Sequence, residues 1–215
     1  MAVSLPNGVT IALQTAVGSS LTISALTNAN PAVATSTAHG LSNGDIVVIT
    51  SGWSKLNDRV VRVSGVTANT FNLEGIDTSS TANYPAGSGT GSAKKVTTFT
   101  QVAQILECST SGGEMQFTTY SFLENDFETQ LPTQASPMTL SLTIADDPAL
   151  AGYTALKNAA EARDIRALKV TFPNNATAYY NGYVSFNETP SMTKNQVMGV
   201  QATFSLLSRP VRYSA

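Results

Sequence analysis

The side chains able to do chemistry are few. Cys108 is the only cysteine and His39 the only histidine in the chain. A thiolate nucleophile needs a base within hydrogen-bond reach. His39 lies in the turn-rich stretch His-Gly-Leu-Ser-Asn-Gly, where bonding to backbone accounts for it. One cysteine and one histidine cannot supply the ligand set of a zinc site. A lone cysteine also excludes an intrachain disulfide, so Cys108 reads as a small buried residue on a strand. Gly87-Ser-Gly-Thr-Gly-Ser ahead of Lys94-Lys95 has the composition of a phosphate loop. Its spacing is not G-x-x-x-x-G-K-[ST] and no helix start follows, so it reads as a connector. Asp45, Asp58, Glu74 and Asp77 lack calcium-loop spacing and read as solvated or turn-capping groups. These residues do not describe an enzyme, and neither cofactor nor metal is expected. Trp53, the only tryptophan, falls in a turn of a Ser/Thr/Asn-rich region. There it can stack on a sugar, which keeps a carbohydrate- or receptor-binding adhesin reading open. The other reading is that it packs on its own barrel.

A different cluster points to association. Glu124, Asp126 and Glu128 interleave with Phe122, Leu123, Phe127 and Leu131 in a segment, Phe122–Gln134, with neither a helix nor a strand period. An exposed loop with so many large apolar groups is unusual unless it packs on something. It reads as a docking patch in which apolar groups bind and acids set register; the plainer reading is an exposed loop.

The elements that position this loop are clearest from Pro137 to Leu207. Met138–Ile144 alternates apolar and Ser/Thr side chains, as a strand with one buried face does. Asp146-Asp147-Pro148 predicts a helix start with carboxylate caps. Leu150, Tyr153, Leu156 and Ala160 then share a helical face that seals a core. Lys157, Arg163 and Arg166 fall on or near its outer side, placed to pair with acids of a neighbour. Leu168, Val170 and Phe172 mark the next strand, Pro173-Asn174-Asn175 a turn, and Ala176–Phe186 and Val197–Leu207 two more strands.

Upstream, Gly8–Ala16 predicts a strand with a weaker continuation to Ile23. From Pro31 to about Ser92, short β runs alternate with turn signals, as in a small β-barrel or sandwich. Pro85–Ser92 is a flexible connector by composition. Strand signals resume over Lys95–Cys108, Gly112-Gly113 turns the chain, and Glu114–Tyr120 is a further strand. Charged residues make up 12% of the chain, about half the usual 25%, which suits packing against neighbours and equally an extracellular β-protein. A net charge of −2 and a pI near 5.3 argue against gripping nucleic acid through a basic patch. No run of about 18 apolar residues predicts a membrane span. The first basic residue is Lys55, so no signal peptide is read.

With this organisation in place, residues 137–210 resemble the core of the tail tube proteins of long-tailed bacteriophages. The resemblance rests on a strand, a helix opening D-D-P-A-L-A-G-Y, then Arg166-Ala-Leu-Lys-Val-Thr-Phe-Pro-Asn, Asn181-Gly-Tyr-Val-Ser, a last strand and Ser208-Arg-Pro. Residues 30–96, with Thr37-Ala-His-Gly-Leu-Ser-Asn-Gly-Asp-Ile-Val-Val-Ile and Val66-Thr-Ala-Asn-Thr-Phe-Asn-Leu, resemble a small β-barrel module of phage structural proteins. That module is similar to the first catalytic cysteine half-domain of ubiquitin-activating enzymes, but the match includes no catalytic cysteine. The resemblances imply a mainly β fold: a tail-tube β-sandwich or barrel with one α-helix, formed by residues 1–29 and 97–215, and an inserted small β-barrel at 30–96. Tail tube cores usually lack such an insert, and decoration of the tube exterior is the expected role. They also imply homo-hexameric rings stacked into a hollow conduit for DNA ejection, with double-stranded DNA passing through the lumen without specific binding. In that picture Phe122, Leu123, Glu124, Asp126, Phe127, Glu128 and Leu131 form an inter-ring assembly loop, unpaired until assembly. Leu150, Tyr153 and Leu156 brace the sheet. The implied partners are further copies, tape measure, tail terminator and tail-tip proteins, and the implied location is the virion tail, assembled in the bacterial host cytoplasm.

Overall fold

The structure is a computed structural model, described for residues 7–215. In chain order its elements are β1 (Thr10–Ile23), β2 (Ala25–Leu26), β3 (Ala32–Thr35), β4 (Ile46–Ser51), β5 (Arg59–Ser64), β6 (Thr70–Leu73), β7 (Gly91–Val102) and β8 (Ile105–Ser111). There follow β9 (Met115–Tyr120), β10 (Thr129–Ala135), β11 (Met138–Ala145), α1 (Ala151–Ala162), β12 (Ile165–Thr171), β13 (Thr177–Ser191), β14 (Gly199–Leu206) and β15 (Val211–Tyr213). The fold is mainly β.

Thirteen strands share one hydrogen-bonded sheet in the order β2-β3-β6-β5-β4-β7-β1-β12-β13-β14-β11-β8, with β15 added on β13. All its pairings are antiparallel. The long β1–β7 ribbon runs from Ile11↔Val102 to Ile23↔Gly91 and serves two hydrophobic cores. One gathers Ile23, Ile49, Trp53, Phe71 and Leu73 beneath the short strands. The other gathers Leu13, Leu140, Leu142, Leu156, Leu168 and Phe204 beneath the helix. Shifts in the β1–β7 register between Gln14 and Ser20 let one ribbon bend into both. Gln14 is buried, and its Oε1 accepts the Ala167 N–H at 3.0 Å, satisfying a buried backbone donor beside the bulge.

The helix begins later than its acidic start signal predicts. Asp147 Oδ1 accepts the Ala149 N–H at 3.1 Å, which stabilises a turn ahead of the helix, and the N-cap is Leu150, with no side-chain cap bond. Tyr153, Leu156 and Ala159 are buried on the inner face, and Leu150 is half-buried. Gly152 brings the helix backbone onto β7; a Cβ there would sit 2.6 Å from the Gln101 carbonyl oxygen. Tyr153 meets Phe186 edge to face at 4.9 Å.

The two cores are joined by directional bonds as well as packing. The Asp58 carbonyl accepts Asn181 Nδ2 at 2.9 Å and the Ser208 hydroxyl at 2.8 Å. Tyr213, on the C-terminal strand, lies in the core of the short strands. Its hydroxyl accepts the Arg62 N–H at 2.7 Å and donates to the Glu74 carbonyl at 3.1 Å. The Arg62 guanidinium stacks 4.3 Å from the Tyr213 ring and holds Glu74 through two nitrogens.

Candidate assembly interface

The acidic-aromatic segment expected to be an unpaired loop is instead half strand. β9 and β10 form a separate two-stranded ladder with Thr129↔Tyr120, Gln130↔Thr119, Leu131↔Thr118 and Pro132↔Phe117 in register. Together they extend the β8–β11 pair as one arm. At its root Gly112 and Gly113 have φ of +79° and +84°, and a Cβ on Gly112 would run into the Pro137 carbonyl. Both positions therefore require glycine. Ser136 closes the root: its N–H donates to the Glu114 carbonyl at 2.8 Å, and its hydroxyl accepts the Glu114 N–H at 3.2 Å.

Every residue of β9 and β10 is exposed, as is the tip between them. Phe122 is 59% exposed, Phe127 78%, and Leu123 fully; Leu131 and Phe117 are also open. Tyr120 and Phe122 make an edge-to-face contact at 5.5 Å, and Asn125 N–H donates to the Phe122 carbonyl in the tip turn. An isolated hairpin is marginal in water, and an exposed apolar patch of this kind marks an association surface. Glu124, Asp126 and Glu128 lie on the same tip and, among the described residues, form no ion pair.

Beside the arm, β8 closes one end of the sheet order, so its outer edge is unpaired among the described strands. Cys108 sits here and is exposed, contrary to the reading of a buried strand residue. The cause is its place at the sheet edge, where only Ile105 of β8 is partly buried and the residues after it are exposed. The Cys108 thiol is pushed up by the desolvation it meets beside Leu106 and Tyr180 at the mouth of an apolar groove, which disfavours the nucleophilic thiolate.

The other sequence candidates fall elsewhere. Trp53 is 2% exposed, so it presents no face to a sugar and the surface-contact reading is corrected. Its Nε1 donates to the Pro85 carbonyl at 2.8 Å, and its ring meets Tyr84 edge to face at 5.3 Å. The Pro85–Ser92 segment, flexible by composition, is the cover over this ring: a Cβ on Gly89 would lie 2.8 Å from the indole. His39 is buried against Phe71, and its Nδ1 accepts the Leu41 N–H at 3.1 Å. Lys157 on the helix pairs with Glu188 at 2.9 Å, and Arg166, at the start of β12, with Asp164 at 3.3 Å, both within the chain. Arg163 ends the helix in the left-handed region at φ +54° and is exposed.

One feature had no local sequence signal. Lys55, Arg59 and Arg209 converge on a cavity of about 400 Å³ that Tyr84 and Leu207 also line. Lys55 and Arg209 stand 154 residues apart in the chain, so neither spacing nor a charge run announces them.

Comparison with known proteins accords with this geometry. The family described as phage tail tube protein, TTP, matches residues 51–215. No curated protein matches the chain. Among solved structures, the chain is similar to a chain of the sheath–tube complex of an extracellular contractile injection system in its extended state. The identity is 13% and the TM-score 0.34, over 50% of this chain and 80% of that one. It is also similar to a chain of the anti-feeding prophage cap, a tube-terminating cap, with 16% identity and a TM-score of 0.34 over 54% of this chain and 83% of that one. At these scores the two likenesses carry no argument, and the family match stands by itself.

Proposed function

We propose that this chain, which belongs to the phage tail tube protein family, is the repeating subunit of a tail tube built by controlled self-association. Family membership makes it a structural component of the phage tail. The finer reading is hexameric rings, stacked into a hollow conduit through which double-stranded DNA leaves the particle. The observation that carries it is the arm, Met115–Ala135, exposed along its whole length with Phe122, Leu123 and Phe127 bare at the tip. The unpaired β8 edge supports it, because pairing with neighbours into a closed barrel removes sheet edges that otherwise aggregate.

In this reading the protein has no catalytic residues. The helix face of Leu150, Tyr153 and Leu156 braces the sheet from outside, and the short-stranded barrel decorates the tube exterior. A lumen of carboxylates and small polar groups repels phosphate, so DNA slides instead of sticking; the net charge of −2 suits this. Tape measure, tail terminator and tail-tip proteins complete the assembly, which takes place in the bacterial host cytoplasm.

The test removes the tip and keeps the arm. Tyr120 and Thr129 are a paired position, so an Asn-Gly turn replacing residues 121–128 fits a two-residue hairpin. The expected product is a folded monomer that sediments as such at concentrations where the unaltered protein forms tubes. Tubes of normal length from the shortened arm would overturn the reading.

A further inference from the structure

The cationic cavity between the two cores has features of a receptor. Lys55 comes from the β4–β5 connection, Arg59 from the start of β5 and Arg209 from the segment after β14, with Tyr84 and Leu207 as apolar walls. Among the described residues no carboxylate lines it, and none of the three cations forms an ion pair. Arg59 Nε is out of solvent and has no hydrogen-bond partner. A desolvated guanidinium donor beside a like charge is a costly arrangement until an anion arrives. Burial, with some repulsion from Arg209, holds the Arg59 guanidinium below its ordinary value.

The complementary surface is on the same chain but out of its own reach. Leu207 follows Leu206, which pairs with Met138 at the root of the arm. The tip lies about ten residues beyond that root, roughly 30 Å away at about 3.3 Å per residue. It carries Glu124, Asp126 and Glu128 among Phe122, Leu123 and Phe127. The cavity's mixture of cations and apolar walls mirrors the tip's mixture of acids and apolar groups. A phosphate backbone needs an extended basic stripe, whereas these cations are confined to one cleft. We infer that the cavity lined by Lys55, Arg59 and Arg209 receives the acidic-aromatic arm tip of a second copy. This rests on the self-assembly reading and names the surface on which the arm docks.

Charge reversal on each side tests it. Lys55→Glu with Arg209→Glu reverses the exposed cations of the cavity, and Glu124→Lys with Asp126→Lys reverses the tip. Each double variant should require about a 10- to 100-fold higher concentration to assemble, from the loss of charge-assisted contacts, with an unchanged circular dichroism spectrum. Mixing the two variants should restore assembly, because each tip then faces a cavity of opposite charge. If the unaltered protein assembles and the cavity variant assembles equally well, the docking surface is wrong while the tube reading stands. A cavity variant that loses only binding to a double-stranded DNA probe overturns it in favour of a nucleic-acid site. If the unaltered protein forms no tubes, the tube reading fails, and concentration-dependent self-association by sedimentation velocity decides the contact. Loss in each variant with recovery in the mixture supports it; no change refutes it.

Discussion

Tyr213→Phe isolates the bond between the C-terminal strand and the short-stranded core. Phenylalanine keeps the ring, its burial and the stacked Arg62 guanidinium, and removes only the hydroxyl. That hydroxyl is the partner of the Arg62 N–H and of the Glu74 carbonyl, at 2.7 and 3.1 Å. Leaving two part-buried backbone groups unpaired costs about 1–3 kcal/mol each at the upper end, less where water reaches them, so about 2–4 kcal/mol in sum. For a chain of this size that lowers Tm by roughly 4–16 °C, read by calorimetry or circular dichroism. Hydrogen exchange at the Arg62 amide should accelerate in parallel. The alkaline limb gives a second readout. Burial pushes the Tyr213 hydroxyl from 10 up to about 12, so the unfolded chain releases this proton before the folded one does. The stabilisation is complete below pH 10, declines as pH rises and is gone above about pH 12, a span of roughly 2–3 kcal/mol. The Phe variant should lack this component of the alkaline slope. A loss below about 0.5 kcal/mol, with an unaltered slope, would refute the idea that Tyr213 ties the two cores.

Three other outcomes are expected. Replacing Phe122, Leu123 and Phe127 by serine should change monomer stability by less than about 0.5 kcal/mol in urea unfolding, because these side chains are exposed, yet abolish pelletable assemblies. Trp53→Ala should cost about 3–5 kcal/mol through the cavity it leaves in a fully packed site, detectable as a lowered denaturation midpoint; an unchanged midpoint would restore a surface role for the ring. Gly112→Ala strains a left-handed residue pressed against the Pro137 carbonyl, so proteolysis at the arm root should quicken while the cores keep their exchange protection.

Legibility in the sequence followed burial contrast. Met138–Ile144 and Leu168–Phe172 could be read because one face of each strand meets the core and the other does not, so period two is written in the residues. The Tyr153–Leu156 helix face was legible for the same reason. Of the arm, Glu114–Tyr120 reads as a strand and is β9, whereas its partner β10 carries no period, since it is exposed on both faces and selection for a buried stripe is missing. Trp53 looked exposed because it sits in a turn, and what buries it is the Pro85–Gly89 cover from far along the chain. The Lys55–Arg59–Arg209 cavity depends on the contact of the two cores through Asp58, Asn181 and Ser208, which no local pattern encodes.

The central claim is that the chain builds a tube of its own copies, and end-on views of assembled, unaltered protein by electron microscopy test it most directly. The account predicts class averages with six repeating densities around an open channel, stacked in side views into filaments of constant width. Monomers at every concentration, or filaments without a channel, would contradict it.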